Sequence, residues 1–300
     1  MQFATFDRDR LGIVNADQIA DITDLVREPA AYVGRSAMRM LIERWHELSP
    51  SLERRRRHLD WRPLSDVQLG PVVPDPSKVV AAPVNYVDHM HEMSEDFHIS
   101  ALGVFLKAPS SVVGTDQQIL LPYFDRRFDQ EGELALVIGR RARHVSQAEA
   151  PNHIFGYTGC LDVTMRGGED RSTRKSFDTF TPIGPWVVTS DEFGSPDDVE
   201  LRCFVNGELR QTANTRDLIW GAAALVAYVS SVMTLEPGDI ITTGTPAGVG
   251  QIHDGDRVEL QLGRLGPLCA NVTAQAAVAC PTLGVGRGPV PPPAAPSLAS

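Results

Sequence analysis

From Lys78 to about Val278 the chain is a succession of short β-favouring runs separated by turn residues: VVAAPV, GVFLKA, QILLPY, GELALVIG, VELRCFVNG, GDIITTG and DRVELQLG. Each is rich in branched or aromatic residues and too short for an ordinary helix, so each predicts a strand. Asn206-Gly207 marks a hairpin turn, because both residue types tolerate positive φ. One clear helix is predicted among these strands, over residues 217–233, apolar on most faces and so packed on a sheet. The fold class that follows is α+β, weighted towards β.

The first part of the chain reads differently. LGIV and IADIT, separated by the turn NADQ, predict short strands within residues 1–24. Ala30, Tyr32, Val33, Met38, Leu41, Ile42 and Trp45 recur near helical spacing and predict a helix over residues 30–48. VVPDPSK, residues 72–78, holds two prolines and reads as a linker. The expected organisation is a small N-terminal α/β domain over 1–74 and a catalytic domain over 75–280. A proline-rich tail over 281–300 is expected to be disordered.

Charge and composition exclude several function classes. A formal net charge of −10 argues against a nucleic-acid partner. The basic cluster Arg54 to Arg57, followed by His58, reads as a solvated helix face or a salt-bridged turn. No apolar stretch is long enough to span a membrane. The N-terminus MQFATFDRDRLG carries charges where a signal peptide needs an apolar run, so the cytoplasm is the expected compartment. Cys160, Cys203, Cys269 and Cys280 form no C-x-x-C pair and read as reduced, mostly buried thiols.

Five segments can carry chemistry. In QEGELALVIG, Glu131 and Glu133 are two residues apart on a predicted strand, so alternation puts both carboxylates on one face. Either a hard cation relieves their repulsion or the strand is an exposed edge with two solvated glutamates. In GYTGCLDVTMRG an apolar strand ends at Asp162, which is a turn residue or a third carboxylate for the same cation. In NYVDHMHEM, a helix puts His89 and Glu92 on one face. They form a general-base pair or a surface ion pair. Lys175, in RKSFDTF, can hold an oxyanion or an enolate, or is a surface lysine. TTGTPAGVG offers backbone N–H groups and Thr245 to a carboxylate or phosphate oxygen, yet lacks the ending of a P-loop. A G-x-S-x-G nucleophile elbow is absent.

Seven motifs in order resemble the fumarylacetoacetate hydrolase family: NYVDHMHEM, FLKAPSS, EGELALVIG, GY-x-x-x-x-DVT-x-R, KSFDTF-x-P-x-GPW, VNGE-x-RQ-x-x-NT-x-D and PGDII-x-TGTPAGVG. The likeness runs from about Lys78 to Val272. It implies the family's mixed β-sheet roll behind a small N-terminal domain. It implies Mg²⁺ or Mn²⁺, sometimes Ca²⁺, held by Glu131, Glu133 and Asp162. His89 and Glu92 would form a water-activating dyad on a lid segment, and Lys175 would contact the substrate's oxo oxygen or the developing enolate. Arg166, Thr245 and Tyr86 would bind a small anionic oxo-acid, and the protein would be a homodimer.

The expected reaction is metal-dependent hydrolysis of a C–C bond in an acylpyruvate or related β-diketo acid. The same chemistry also serves an oxaloacetate-type decarboxylase, or an isomerase or hydratase of unsaturated 2-oxo diacids from aromatic catabolism. A non-catalytic metal-dependent binder is a remote alternative. The sequence departs from the family at the substrate loop. Gly167 and Gly168 follow Arg166 where many relatives carry an acidic residue. The stretch from Asp162 to Lys175 is also short, and it holds Glu169, Asp170, Arg171 and Arg174.

Overall fold

The computed structural model describes residues 1–26, 34–282 and 284. An eleven-stranded mixed sheet packs against a five-stranded sheet, with a third sheet of three short strands alongside. The large sheet runs Trp61–Pro63, Gln18–Asp21, Arg10–Asn15, Gln2–Phe6, Thr181–Thr189, Ile154–Leu161, Gly132–Ile138, Ile240–Thr242, Val79–Ala81, Phe105–Lys107. The two-residue strand Val112–Val113 pairs off this path with Thr181–Thr189. The smaller sheet runs Glu208–Asn214, Glu200–Val205, Arg257–Leu262, Leu268–Thr273, Gln118–Leu120. Thr164–Met165, Phe128–Gln130 and Gly250–Gln251 make the third.

The strand Gly132–Ile138 lies between Ile154–Leu161 and Ile240–Thr242 and is buried throughout. Leu134, Leu136 and Ile138 enter the core shared with Leu201, Cys203 and Leu260 of the five-stranded sheet. Ala135 and Val137 enter a second core with Phe3, Met38 and Leu41. A strand that alternates between two apolar cores must be apolar at every position, which explains the unbroken run LALVI. Gly132 begins this strand because space allows nothing larger: a Cβ there would stand 2.8 Å from Leu260 Cδ1.

The predicted hairpin is present, with Asn206 at φ 53° and Gly207 at φ 81° joining Glu200–Val205 to Glu208–Asn214. The predicted helix begins later than the sequence pattern suggests, at Ala222–Val232, because Thr215–Asp217 forms its own 3-10 turn.

In the N-terminal part, Gln2–Phe6 pairs with Thr181–Thr189, so the short strands extend the large sheet. The single helix expected over 30–48 is two helices, Ala37–Glu43 and Trp45–Arg55, that meet at Arg44. The first starts at Ser36, whose side chain accepts the Arg39 N–H. Residues 30–33 of that expectation lie outside the described residues. The stretch VVPDPSK is packed, not free: Val72 and Val73 are buried, and Asp75 accepts the Ser36 N–H at 3.0 Å. The basic cluster ends the second helix and is largely exposed. Cys160, Cys203 and Cys269 are free and buried, while Cys280 is half-buried. The expected disordered tail lies outside the described residues apart from positions 281, 282 and 284. Among the described residues no helix is long and apolar enough to cross a membrane.

Candidate metal centre and active site

Glu131 sits in the break between Phe128–Gln130 and Gly132–Ile138, and Glu133 is the second residue of the latter strand. Across the ladder, Gly132 pairs with Leu161 and Glu133 with Cys160. That register delivers Asp162, which follows Leu161, beside Glu131, and the Asp162 N–H bonds to the Glu131 carbonyl at 2.8 Å. The three carboxylates are buried, with one oxygen of each within 4.8 Å of the others.

Glu131 accepts from Arg166 Nη2 at 3.0 Å and Lys175 Nζ at 2.7 Å. Asp162 accepts from Lys107 Nζ at 2.5 Å and Lys175 Nζ at 2.6 Å. Glu133 accepts the Gly244 N–H at 2.7 Å, and among the described residues no cationic side chain forms a salt bridge with it. Their titration differs accordingly. Burial alone would raise Glu131, but Lys175 and Arg166 outweigh it and hold the group well below the usual range. Burial, reinforced by the Asp162 charge, pushes Glu133 up to about 8. Such a cluster of oxygen donors, one of them under-compensated, suits a hard divalent cation, which favours carboxylate oxygens and tolerates water in its remaining positions.

Lys175 closes the short helix Arg171–Arg174 and is fully committed: its Nζ donates to Glu131, Asp162 and Thr164 Oγ1. Burial works against its charge, but Asp162 and Glu131 more than compensate and raise its pKa. Arg166 is likewise spent within the site, since its Nε donates to Asp129 Oδ2 at 2.7 Å.

NYVDHMHEM forms the helix Val87–Glu92 as expected. His89 Nδ1 lies 3.0 Å from Glu92 Oε2, and Glu92 Oε1 accepts the Gly248 N–H at 2.8 Å. His89 is buried and lines one cavity together with Glu131, Glu133, Asp162, Lys175 and Thr245. The loop TTGTPAGVG therefore spends two of its N–H groups on the site's own carboxylates, Glu133 and Glu92. Thr245 donates to the Gly132 carbonyl and accepts from Gln211 Nε2. Tyr86 precedes the helix with its ring buried and is not among the side chains lining the cavity.

Four positioning residues escaped the sequence reading. Lys107 is a wholly buried lysine that binds Asp162 and the carbonyls of Lys175 and Phe180. Gln211 reaches from the five-stranded sheet to the Gly132 N–H, Thr245 Oγ1 and the Pro246 carbonyl. Asn85 ties the His89 helix to the Trp220 and Thr243 carbonyls. Asp129 holds Arg166 and Arg127. Asp129 stands two residues before Glu131, so the alternation that singled out Glu131 and Glu133 also points to it.

Residues 78–273 match the family described as fumarylacetoacetate (FAA) hydrolase C-terminal. The chain is 39% identical over 280 residues to a maleylpyruvate hydrolase of Aquipseudomonas alcaligenes, covering 89% of this chain and 98% of that one. It superposes with a TM-score of 0.82 on the crystal structure of maleylpyruvate hydrolase from Sphingobium sp. SYK-6 in complex with manganese(II) and pyruvate. That match is 39% identical and covers 91% of this chain and 99% of the other. It is also 37% identical over 223 residues to the human mitochondrial oxaloacetate tautomerase FAHD2B, covering 70% and 71%. The chain belongs to the fumarylacetoacetate hydrolase family.

Proposed function

We propose that the protein is a divalent-metal-dependent hydrolase that cleaves a C–C bond in an acylpyruvate or a related β-diketo acid. The observation that carries this reading is His89, held by Glu92 and lining the same cavity as the three carboxylates. Decarboxylation has no need of an attacking water, whereas hydrolysis needs a base for one.

Glu131, Glu133 and Asp162 would hold Mg²⁺ or Mn²⁺, and the related enzyme crystallised with manganese(II) and pyruvate supports that choice. When bound, the cation supplies Lewis-acid polarisation of a 2-oxo acid and charge stabilisation of its enolate. His89 would take a proton from water, with Glu92 fixing the ring. The oxygen of that water adds to the distal carbonyl carbon. The C–C bond then breaks, its electron pair passing to the pyruvate enolate, and a proton returns to the enolate carbon. Lys175 spends its three N–H donors on Glu131, Asp162 and Thr164 in this structure, and would turn one of them to the developing enolate once a cation shares the charge of the carboxylates. Arg166 and Thr245, which line the cavity, would complete the surroundings of the substrate, whereas Tyr86 does not reach it.

A second reading is supported by the oxaloacetate tautomerase relative: enolisation of a 2-oxo diacid at the same centre without water attack. Both readings are tested by incubating the protein with acylpyruvates and with oxaloacetate, with Mg²⁺, with Mn²⁺ and with a chelator, and identifying products. Chelator-sensitive release of pyruvate and a carboxylic acid supports hydrolysis. A changed enol-to-keto ratio without fragments supports tautomerisation.

The reading extends to a cytoplasmic homodimer working in aromatic-ring breakdown, with a small N-terminal domain over 1–74 serving a catalytic domain over 75–280. Adjacent exposed apolar residues support the dimer: Phe124 and Val278 are 70% and 58% exposed and are joined by a backbone hydrogen bond. Light scattering of the purified protein tests it.

A further inference from the structure

The loop over residues 166–175 brings Arg166, Arg171, Arg174 and Lys175 to the cavity. Arg166 and Lys175 are anchored on the acidic cluster. Arg171 reaches Glu95 at 3.7 Å, and Arg174 donates to the Glu169 carbonyl at 2.8 Å, so their placement follows the loop backbone. The group that grips this backbone stands outside the cavity. Arg126 forms a bidentate pair with Glu169, Nη1 to Oε1 and Nη2 to Oε2, both at 2.9 Å. The same Nη2 donates to the Arg166 carbonyl at 3.1 Å. One guanidinium thus holds the loop at two points three residues apart. Gly167 lies beneath the fork: a Cβ there would stand 2.1 Å from Arg126 Nη2 and 2.2 Å from Glu169 Oε2. A side chain at 167 and the fork exclude each other, which accounts for a glycine where many relatives carry an acidic residue.

The other side of Arg126 is covered by the C-terminal segment. Its Nη1 is shared with the Thr282 carbonyl and Oγ1, both at 3.3 Å, and with Cys280 Sγ at 3.1 Å. Thr282 Oγ1 donates in turn to Glu169 Oε1 at 2.7 Å. The segment is itself tied down beside Arg126: the Val278 N–H bonds to the Pro122 carbonyl and the Cys280 N–H to Asp125 Oδ1 at 2.9 Å. A solvated ion pair would contribute little here. Arg126 and Glu169 are only 11% and 13% exposed, and a bidentate fork at that depth fixes direction as well as distance.

We infer that Arg126 is a positioning residue of the active site, holding the loop 166–175 over the cavity through Glu169 and the Arg166 carbonyl, and that the C-terminal segment at Cys280 and Thr282 is part of that hold. The hold itself stands on the contacts of Arg126. Its consequence for ligand binding rests on the cavity being the oxo-acid site proposed above.

Hydrogen exchange of the full-length protein with Mg²⁺ reads the hold without reference to any reaction. The reporters are the amides of Arg166, Arg174 and Lys175, which bond to the Arg127, Asp170 and Arg171 carbonyls. In R126M they are expected to exchange about tenfold to a hundredfold faster, the range of a charge-assisted hydrogen bond. The amides of Gly132–Ile138 should keep their rates, which excludes a global loss of stability. R126K should lie between wild type and R126M. E169Q should accelerate the same amides, and the double variant should be no faster than R126M, because either change breaks the same pair. T282V, which removes the hydroxyl and keeps the shape, should accelerate them as well. Unchanged exchange in R126M overturns the hold, and unchanged exchange in T282V removes the C-terminal segment from it. Calorimetry with oxalate, a planar dianion that mimics a pyruvate enolate, tests the positioning role. Its affinity in the presence of Mg²⁺ is expected to fall about tenfold in R126M and to recover in part in R126K, since the cationic side chains of a loosened loop meet the anion in only part of the population. Full affinity with a loosened loop overturns the positioning role. A wild-type protein that binds no oxalate removes the oxo-acid reading instead, and exchange still decides the hold.

Discussion

His89 Nδ1 and Glu92 Oε2 stand 3.0 Å apart on successive turns of one short helix, and the other oxygen of Glu92 is fixed by the Gly248 N–H. The imidazole is thus oriented from behind, by a carboxylate that cannot swing away. Neither residue bonds to Glu131, Glu133 or Asp162. His89→Ala is therefore expected to lower kcat by about 10²–10⁴-fold, the usual contribution of a general base, while metal binding stays in place. Glu92→Gln keeps the shape but loses the charge, and a loss of about tenfold to a hundredfold is expected. Turnover and calorimetric metal affinity on the same preparations check both, and intact hydrolysis in His89→Ala would rule out the proposed base.

Glu133 gives the metal-free protein a pH signature. Its pKa rises from 4.5 unfolded to about 8 folded, chiefly through burial and then through Asp162. A group raised on folding contributes stability that is fully present below about pH 4.5 and is lost as pH rises through about 8. Glu131 is shifted the opposite way, so its window lies below pH 4.5 and does not overlap. Between pH 6 and pH 9 the chelated protein should thus lose melting temperature through this group. A bound cation removes the penalty, so the stabilisation by Mg²⁺ should grow over the same interval. At pH 7 metal binding should also release close to one proton per ion. Calorimetry in buffers of different ionisation enthalpy counts that proton, and a pH-independent metal stabilisation would contradict the assignment.

Lys107 tests how far the acidic cluster depends on its scaffold. Its Nζ gives one bond to Asp162 and two to backbone carbonyls, from a side chain with no solvent exposure. Lys107→Met keeps the volume and strands all three acceptors. Breaking a buried pair in this way costs about 3–5 kcal/mol. The loss should be larger in chelator than in Mg²⁺, because the cation can take over the charge of Asp162. Paired denaturant titrations with and without metal measure the difference.

What was legible in the sequence follows from what local pattern can encode. The E-x-E alternation, the aspartate at a strand end and the His–Glu spacing are short-range, and the structure brings four of these five residues to one cavity, with Glu92 behind His89. Lys107, Gln211 and Asn85 stand in motifs of the family resemblance, but their roles were invisible because their partners are set by the packing of distant elements. Gln211 meets Gly132 across 79 positions, and Asn85 meets Thr243 across 158. The helix expected over 30–48 shows the same limit, since helical periodicity does not register the break at Arg44. In the loop TTGTPAGVG, the sequence showed available N–H groups but not that the protein's own carboxylates would occupy two of them.

Gly248 couples this loop to the dyad. Its φ is +98°, in the region that favours glycine, and a Cβ there would stand 1.9 Å from the Arg210 carbonyl oxygen. Its N–H holds Glu92, and its carbonyl accepts from Gln130 Nε2 at 3.0 Å. Gly248→Ala cannot be accommodated by turning a side chain, because the obstacle is backbone. The loop must shift, and the Glu92 anchor should break with it. Gly255 supplies the comparison. It has φ +87° but nothing within 4 Å of where a Cβ would stand, so its replacement by alanine carries the conformational cost alone, about 1 kcal/mol. Gly248→Ala should exceed that cost in denaturant unfolding and lower kcat as far as Glu92→Gln does, while Gly255→Ala leaves kcat unchanged. If Gly248→Ala loses stability but keeps kcat, Glu92 is held by its helix and not by the loop.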